Sequence, residues 1–188
     1  MTDHINALDA ETVIADTKVW LEKAVIGLNL CPFAKAVHIK NQIRYSVSDA
    51  QTTDALLAEL IGELEGLAAA DPERIETTLL IHPQVLTDFL DFNDFLDIVD
   101  ATVDGLGFTG TIQVASFHPS YQFAGSDADD IDNYTNRSPY PMLHLLRESS
   151  IDRAVEAFPD ASQIFNKNIE TLQALGHAGW RLLAIPKA

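Results

Sequence analysis

The sequence predicts an α/β fold: a small, mainly parallel sheet of three to four strands, covered by helices and followed by a C-terminal helical pair. Three short runs rich in apolar and β-branched residues supply the strands: Ile43-Arg-Tyr-Ser-Val47, Thr77-Thr-Leu-Leu-Ile81 and Thr111-Ile-Gln-Val-Ala-Ser-Phe117. The stretches between them carry apolar residues at three- and four-residue spacing, as helices with one buried face do. Strands alternating with helices of this length suit βαβ crossovers, which join parallel strands. No repeat, low-complexity tract or Pro/Gly/Ser linker divides the 188 residues, so residues 1–188 read as a single domain.

Taken in order, residues 1–8 are expected to be an N-terminal tail. A helix follows from residue 9 to about 28, with Val13, Thr17, Trp20, Leu21, Ala24 and Leu28 on one side, Asp9 as its N-cap and Leu8 with Val13 as a hydrophobic staple. Pro32 disfavours helical geometry in the residue before it, so this helix ends near residues 29–31. The strand at 43–47 leads into a helix over 52–69 that turns Leu56, Leu57, Leu60, Ile61, Leu64 and Leu67 inward. After the strand at 77–81 comes a third long helix over 84–105. Its acids, among them Asp88, Asp91, Asp94, Asp97, Asp100 and Asp104, drift around the axis and describe a solvated face.

Residues 118–138, after the strand at 111–117, have no usable period. A structureless connection of this length is uncommon in a compact domain and marks a functional or mobile loop. Ser138-Pro139 then has the form of an N-cap and a first helical residue, predicting a helix over 139–157. A second helix spans 160–175 with Gly176 at C′, and residues 180–185 form a last, edge strand.

Lys and Arg number 12 against 28 Asp and Glu, a formal charge of −16. Such a charge repels phosphate backbones and anionic lipid surfaces, which argues against nucleic-acid and membrane partners. No uncharged apolar run approaches the ~20 residues needed to span a bilayer. The single Cys31 cannot form an intramolecular disulfide, and the first residues carry no basic and apolar leader pattern, so the expected location is the cytoplasm. P-loop, G-x-G-x-x-G, H-E-x-x-H and G-x-S-x-G signatures are missing, and no cofactor is indicated.

Candidate chemistry falls in three places. His82-Pro83 and His118-Pro119 each follow a strand; on parallel neighbours the two imidazoles would meet at the carboxyl edge of the sheet and could share a substrate or a metal. Cys31 precedes Pro32: at the start of a short helix its thiol pKa would fall, and at the end of the long first helix it would not. The richest stretch runs from Asn133 to Glu148. Arg137 precedes the expected helix start, where free N–H groups favour anions, and His144, Arg147 and Glu148 would share one face of that helix. The plainer alternative has Arg137 tying down the long loop and Arg147 in a surface ion pair.

The segments Gly27-Leu-Asn-Leu-Cys-Pro-Phe-Ala34, Phe117-His-Pro-Ser-Tyr-Gln-Phe-Ala-Gly125 and Thr135-Asn-Arg-Ser-Pro-Tyr-Pro-Met-Leu-His-Leu-Leu-Arg-Glu148 closely resemble the bacterial family catalogued as domain of unknown function 1415. The likeness covers nearly the whole chain. It implies a site at the signature positions Cys31, His118, Tyr121, Asn136, Arg137, His144, Arg147 and Glu148, without implying a reaction.

Together these readings predict an enzyme acting on a small anionic molecule at a Cys/His/Arg site on the carboxyl edge. His118, Cys31, His144 and Glu148 are its candidate catalytic groups, and Arg137, Arg147, Asn136, Tyr121 and Ser138 its candidate ligand-binding groups. One alternative is a metalloprotein with zinc or iron at His82 and His118, with Cys31 and His144 as further ligands. The other is a non-enzymatic binding or interaction module whose loop closes over its ligand.

Overall fold

The computed structural model describes residues 9–157 and 163–186. The tail at 1–8, the Leu8 staple and the first residues of the helix expected from 160 lie outside them.

Helix α1 (Ala10–Trp20) continues as a π-helical segment, Leu21–Ile26, and is followed by α2 (Ala34–Ile39), β1 (Ile43–Val47), α3 (Thr53–Ala69), β2 (Thr77–Ile81) and α4 (Phe89–Gly105). Next come β3 (Ile112–Phe117), a 3₁₀ segment (Ile131–Thr135), β4 (Met142–Arg147), α5 (Glu148–Ala157) and α6 (Ile164–Leu182). Among the described residues the sheet has four strands in the order β1-β2-β4-β3. β1 and β2 are parallel, whereas β4 lies antiparallel between β2 and β3. No helix among the described residues is long and apolar enough to cross a membrane.

This corrects the mainly parallel sheet: the α/β class holds, but two of the three strand pairings are antiparallel. The cause is the segment 142–147, a strand rather than the start of a helix. Tyr140 stands before Pro141, which pushes it out of helical geometry, and the alternation of Leu143, Leu145 and Arg147 with Met142, His144 and Leu146 suits a strand with two different faces. Helix α5 therefore begins at Glu148, about ten residues later than expected. The edge strand expected at 180–185 is absent too. Gly176 (φ 61°, ψ 174°) interrupts α6 where a C′ glycine was expected, but helix resumes and carries Trp180 onto the core.

Two apolar layers hold the sheet. On one face Leu80, Leu143, Leu145 and Ile112 pack against Leu56, Leu60 and Leu64 of α3 and Phe92, Phe95 and Val99 of α4. On the other, Leu79, Ile81 and Met142 meet Val13, Trp20, Leu21, Ala24 and Val25 of α1 and its continuation, with Trp180 and Leu183 at the margin. Asp88 caps α4, accepting from the N–H groups of Leu90 and Asp91, so one of the helix acids has a structural role.

The π turn is closed by a bond from Gly27 N–H to the Glu22 carbonyl at 3.0 Å, one residue further back than in an α-helix. A Cβ on Gly27 would stand 2.3 Å from the Lys23 carbonyl oxygen. Gly27→Ala is therefore expected to destabilise the protein by ~1–3 kcal/mol, although alanine is the better helix former. Urea unfolding of the two proteins measures this, and a variant as stable as wild type would contradict the tight turn.

Candidate functional site

Strand β4 lies inside the sheet, yet its two faces are covered unequally. Leu143, Leu145 and Arg147 are buried against the α3 and α4 layer, while His144 and Leu146 on the opposite face stay partly exposed. The layer carrying α1 does not close over them. What remains is a cavity of about 920 Å³, within the size range of small-molecule sites. Its floor includes Thr77 and Leu79 of β2, His144 and Leu146 of β4, and Ala115 and Phe117 of β3. Trp20, Leu21, Val25, Cys31, Phe33 and Val37 contribute to the opposite wall.

His144 is the central polar group of the floor. Its Nε2 is 2.7 Å from Thr77 Oγ1, which lies 2.6 Å from the Leu145 carbonyl. A carbonyl can only accept, so the single Thr77 proton goes to Leu145 and the hydroxyl oxygen accepts from His144 Nε2–H. That pairing selects the tautomer and leaves the lone pair on Nδ1, which has no hydrogen-bond partner among the described residues. Burial pushes the His144 pKa down to about 4, so the ring is neutral near pH 7. Its register partner on β3 is Ala115, whose small side chain leaves the space beside the ring open.

Cys31 stands in the cavity wall on a tightly made turn. The N–H groups of Leu30 and Cys31 both bond to the Val25 carbonyl, at 2.9 and 3.4 Å, and the Asn168 side chain donates to the Leu30 carbonyl at 2.9 Å. Helix α2 starts at Ala34, three residues beyond the cysteine. Burial pushes the thiol pKa up, against a smaller opposite pull from the backbone N–H groups of Phe33 and Ala34. Near neutral pH the cysteine is a protonated thiol, not a thiolate.

Polar and charged lining residues gather at one end. Lys40, Glu73, Gln113 and Arg153 are exposed, whereas Trp20 and Leu21 at the other end are buried. The mouth is thus at the amino ends of β1 and β2, across the sheet from the carboxyl edge where sequence reasoning looked. Arg153 pairs with Glu76 at 3.1 Å, and the Lys40 ammonium makes no ion pair or hydrogen bond among the described residues.

The carboxyl edge carries a different arrangement. His82 and His118 do leave the sheet at the same edge, but β4 separates their strands, by about 9.6 Å or two strand spacings. Both rings are buried against Phe92, at centroid distances of 5.6 and 5.2 Å. His118 is fully engaged: Nε2–H donates to the Leu86 carbonyl at 3.3 Å and Nδ1 accepts from Ser120 N–H at 3.0 Å. His82 donates from Nδ1 to the Val85 carbonyl at 2.9 Å, and its Nε2 is buried without a hydrogen-bond partner among the described residues. Cys31 and His144 lie on the opposite face of the sheet. Among the described residues no three His, Cys, Asp or Glu side chains converge as metal ligands do.

The loop between β3 and β4 absorbs most of the other candidates. Arg137 donates to the carbonyls of Tyr121 (3.1 Å) and Ala128 (2.6 Å) and lies over the Tyr134 ring. Asn136 donates to the Ser116 carbonyl, Tyr121 packs on Phe89 and Phe123, and Ser138 donates to the Tyr140 carbonyl. Arg147 sends Nη2 to the Leu67, Ala70 and Ile75 carbonyls at 2.6, 2.8 and 3.2 Å, across the sheet from His144. Glu148 opens α5, its N–H bonded to the Thr111 carbonyl. The face expected to unite His144, Arg147 and Glu148 does not exist, because alternate residues of a strand point to opposite sides.

Of the candidate residues, then, Cys31 and His144 line the same cavity. Thr77, Ala115 and Lys40 were missed. The alternation Thr77-x-Leu79 opposite Met142-x-His144-x-Leu146 is the signal that could have found Thr77, once 142–147 is taken as a strand.

Residues 12–182 match the family described as Protein of unknown function (DUF1415), a span that contains all three motifs quoted above. No curated protein and no solved structure matches the chain.

Proposed function

Given that the chain belongs to the DUF1415 family over residues 12–182, we propose that it is an enzyme for a small organic acid and that its site is the cavity over β4. One observation carries this reading: the tautomer of His144 is set by Thr77, and its Nδ1 lone pair is left unspent at the floor of a largely apolar cavity. A ring held at one nitrogen and open at the other is oriented to accept a proton from a bound molecule. With its pKa pushed down to about 4, His144 is unprotonated throughout the neutral range; it is a weaker base than a free imidazole and offers Nδ1 first as a hydrogen-bond acceptor. The Cys31 thiol is a weak donor in the wall.

The anion-holding role moves from Arg137 and Arg147, whose donors serve backbone carbonyls, to Lys40 at the mouth. The apolar lining favours a second reading, a binding protein without turnover. That reading expects ligands of the same kind and no product.

Thermal-shift screening of small organic acids tests the site. Compounds that raise the melting temperature of wild type should lose that effect in Ala115→Phe, which fills the space beside His144, and in Gln113→Trp, which obstructs the mouth. Both variants should melt near wild type without ligand. Equal ligand responses in all three proteins would remove the cavity from consideration.

A further inference from the structure

We propose that the ligand is a single-headed amphiphile, an unbranched apolar chain ending in a carboxylate, lying along β4 with its tail at Trp20 and its head at Lys40. The inference rests on the cavity being the site and adds the substrate class and its direction.

Three observations support it. The cavity is elongated along the strands: Phe117, Ala115 and Gln113 line it in turn, four residue steps or about 14 Å of β3. Its character changes along that line, from Trp20, Leu21 and Val25 at the closed end, past Leu79 level with Ala115, to Lys40, Glu73, Glu76 and Arg153 at the mouth. Such a gradient suits a molecule with one apolar end and one charged end.

The third observation is charge. Lys40 and Arg153 stand at the mouth with Glu73 and Glu76, an even balance in a chain of 12 basic and 28 acidic residues. Glu76 is covered by Arg153, and the Arg147 guanidinium lies on the other side of the sheet. Lys40 and Glu73 are left at the mouth. Arg153 stays paired with Glu76, so a carboxylate head meets the Lys40 ammonium at a mouth that, unlike the chain as a whole, carries no net negative charge.

Trp20 makes the direction measurable. It belongs to the closed end, and Trp180 is the chain's second tryptophan, so Trp180→Phe leaves Trp20 as the sole indole reporter. The probes are the straight-chain carboxylates from hexanoate to dodecanoate. Binding should tighten with chain length by up to about fourfold per methylene, the full transfer value of ~0.8 kcal/mol. Dodecanoate brominated at the terminal carbon should quench Trp20 more than dodecanoate brominated beside the carboxylate. Lys40→Glu should weaken the carboxylates severalfold and leave the matching alcohols unchanged.

Stronger quenching by the head-side bromine, affinity independent of chain length, or tighter binding of alkyl trimethylammonium ions would each overturn the proposal. The chain-length series followed by thermal shift on wild type covers the case in which Trp180→Phe fails to fold. If no carboxylate binds but other small molecules stabilise wild type and not Ala115→Phe, the amphiphile fails and the site stands. Carboxylates that bind Ala115→Phe as well as wild type would defeat both.

Discussion

Acidification from pH 6.5 to pH 4 is expected to remove about 3 kcal/mol of folding stability through His82 alone. The imidazole is buried, Nδ1–H is committed to the Val85 carbonyl, and Nε2 has no partner to receive a proton's charge. Burial, with His118 nearby, pushes its pKa from 6.5 down to about 4. In that window the unfolded chain carries a proton at this residue and the folded chain does not. Stability therefore rises with pH across the window, is fully present above pH 6.5 and is lost as pH falls toward 4. His144, pushed down by burial in the same direction, contributes with the same sign.

The measurement is urea unfolding across this range for wild type and His82→Asn, whose amide can keep the bond to Val85 but cannot titrate. The carboxylates titrate in both proteins and cancel in the difference. The variant should lose about 3 kcal/mol less on acidification. Equal losses would mean that His82 takes up its proton in the folded state.

Arg147→Met is expected to cost ~3 kcal/mol at neutral pH, through structure and not through ligand binding. Helix α3 ends with carbonyls that no later turn of helix satisfies, and Arg147 Nη2 collects those of Leu67 and Ala70 together with that of Ile75. Positive charge at a helix C-terminus is favourable as well. Methionine fills a similar space and leaves these acceptors without their charged donor. Chemical denaturation reads the loss, and Arg147→Lys should recover part of it because an ammonium also offers several donors. Ligands that stabilise wild type through the cavity should stabilise Arg147→Met by the same increment. A variant of unchanged stability with weakened ligand response would restore Arg147 to an anion-binding role.

How much of this was legible in the sequence depended on which physical signal each segment carried. The helices at 53–69 and 89–105 follow from side-chain period, because one face of each is buried, and the strands at 43–47 and 77–81 follow from short apolar and β-branched runs, the second buried on both faces. The segment 142–147 is a short apolar run, for which period two and period 3.6 are hard to separate. Two prolines gave it the look of a helix start, although Pro141 also disfavours helix at Tyr140. That single assignment carried the sheet topology with it, since a strand between β2 and β3 parts His82 from His118 and turns Arg147 away from His144.

For the site, Cys31 and His144 were visible as residue types, but their sharing one cavity depends on tertiary packing that spacing does not encode. Arg137 shows the converse. A charged residue in a recurring motif suggested a ligand, and its donors hold the carbonyls of Tyr121 and Ala128, the loop-tying role weighed as the plainer alternative. Lys40 and Ala115 carry no motif at all. One matters for lacking a partner and the other for being small, and both are properties of the folded surroundings.

The most direct test of the account is the paired thermal-shift screen of wild type, Ala115→Phe and Gln113→Trp against one panel of organic acids, read beside their unliganded melting temperatures. Some compounds should stabilise wild type in a concentration-dependent way and neither variant, with all three proteins melting alike when unliganded. Compounds that stabilise all three equally would contradict it and place the site away from the cavity over His144.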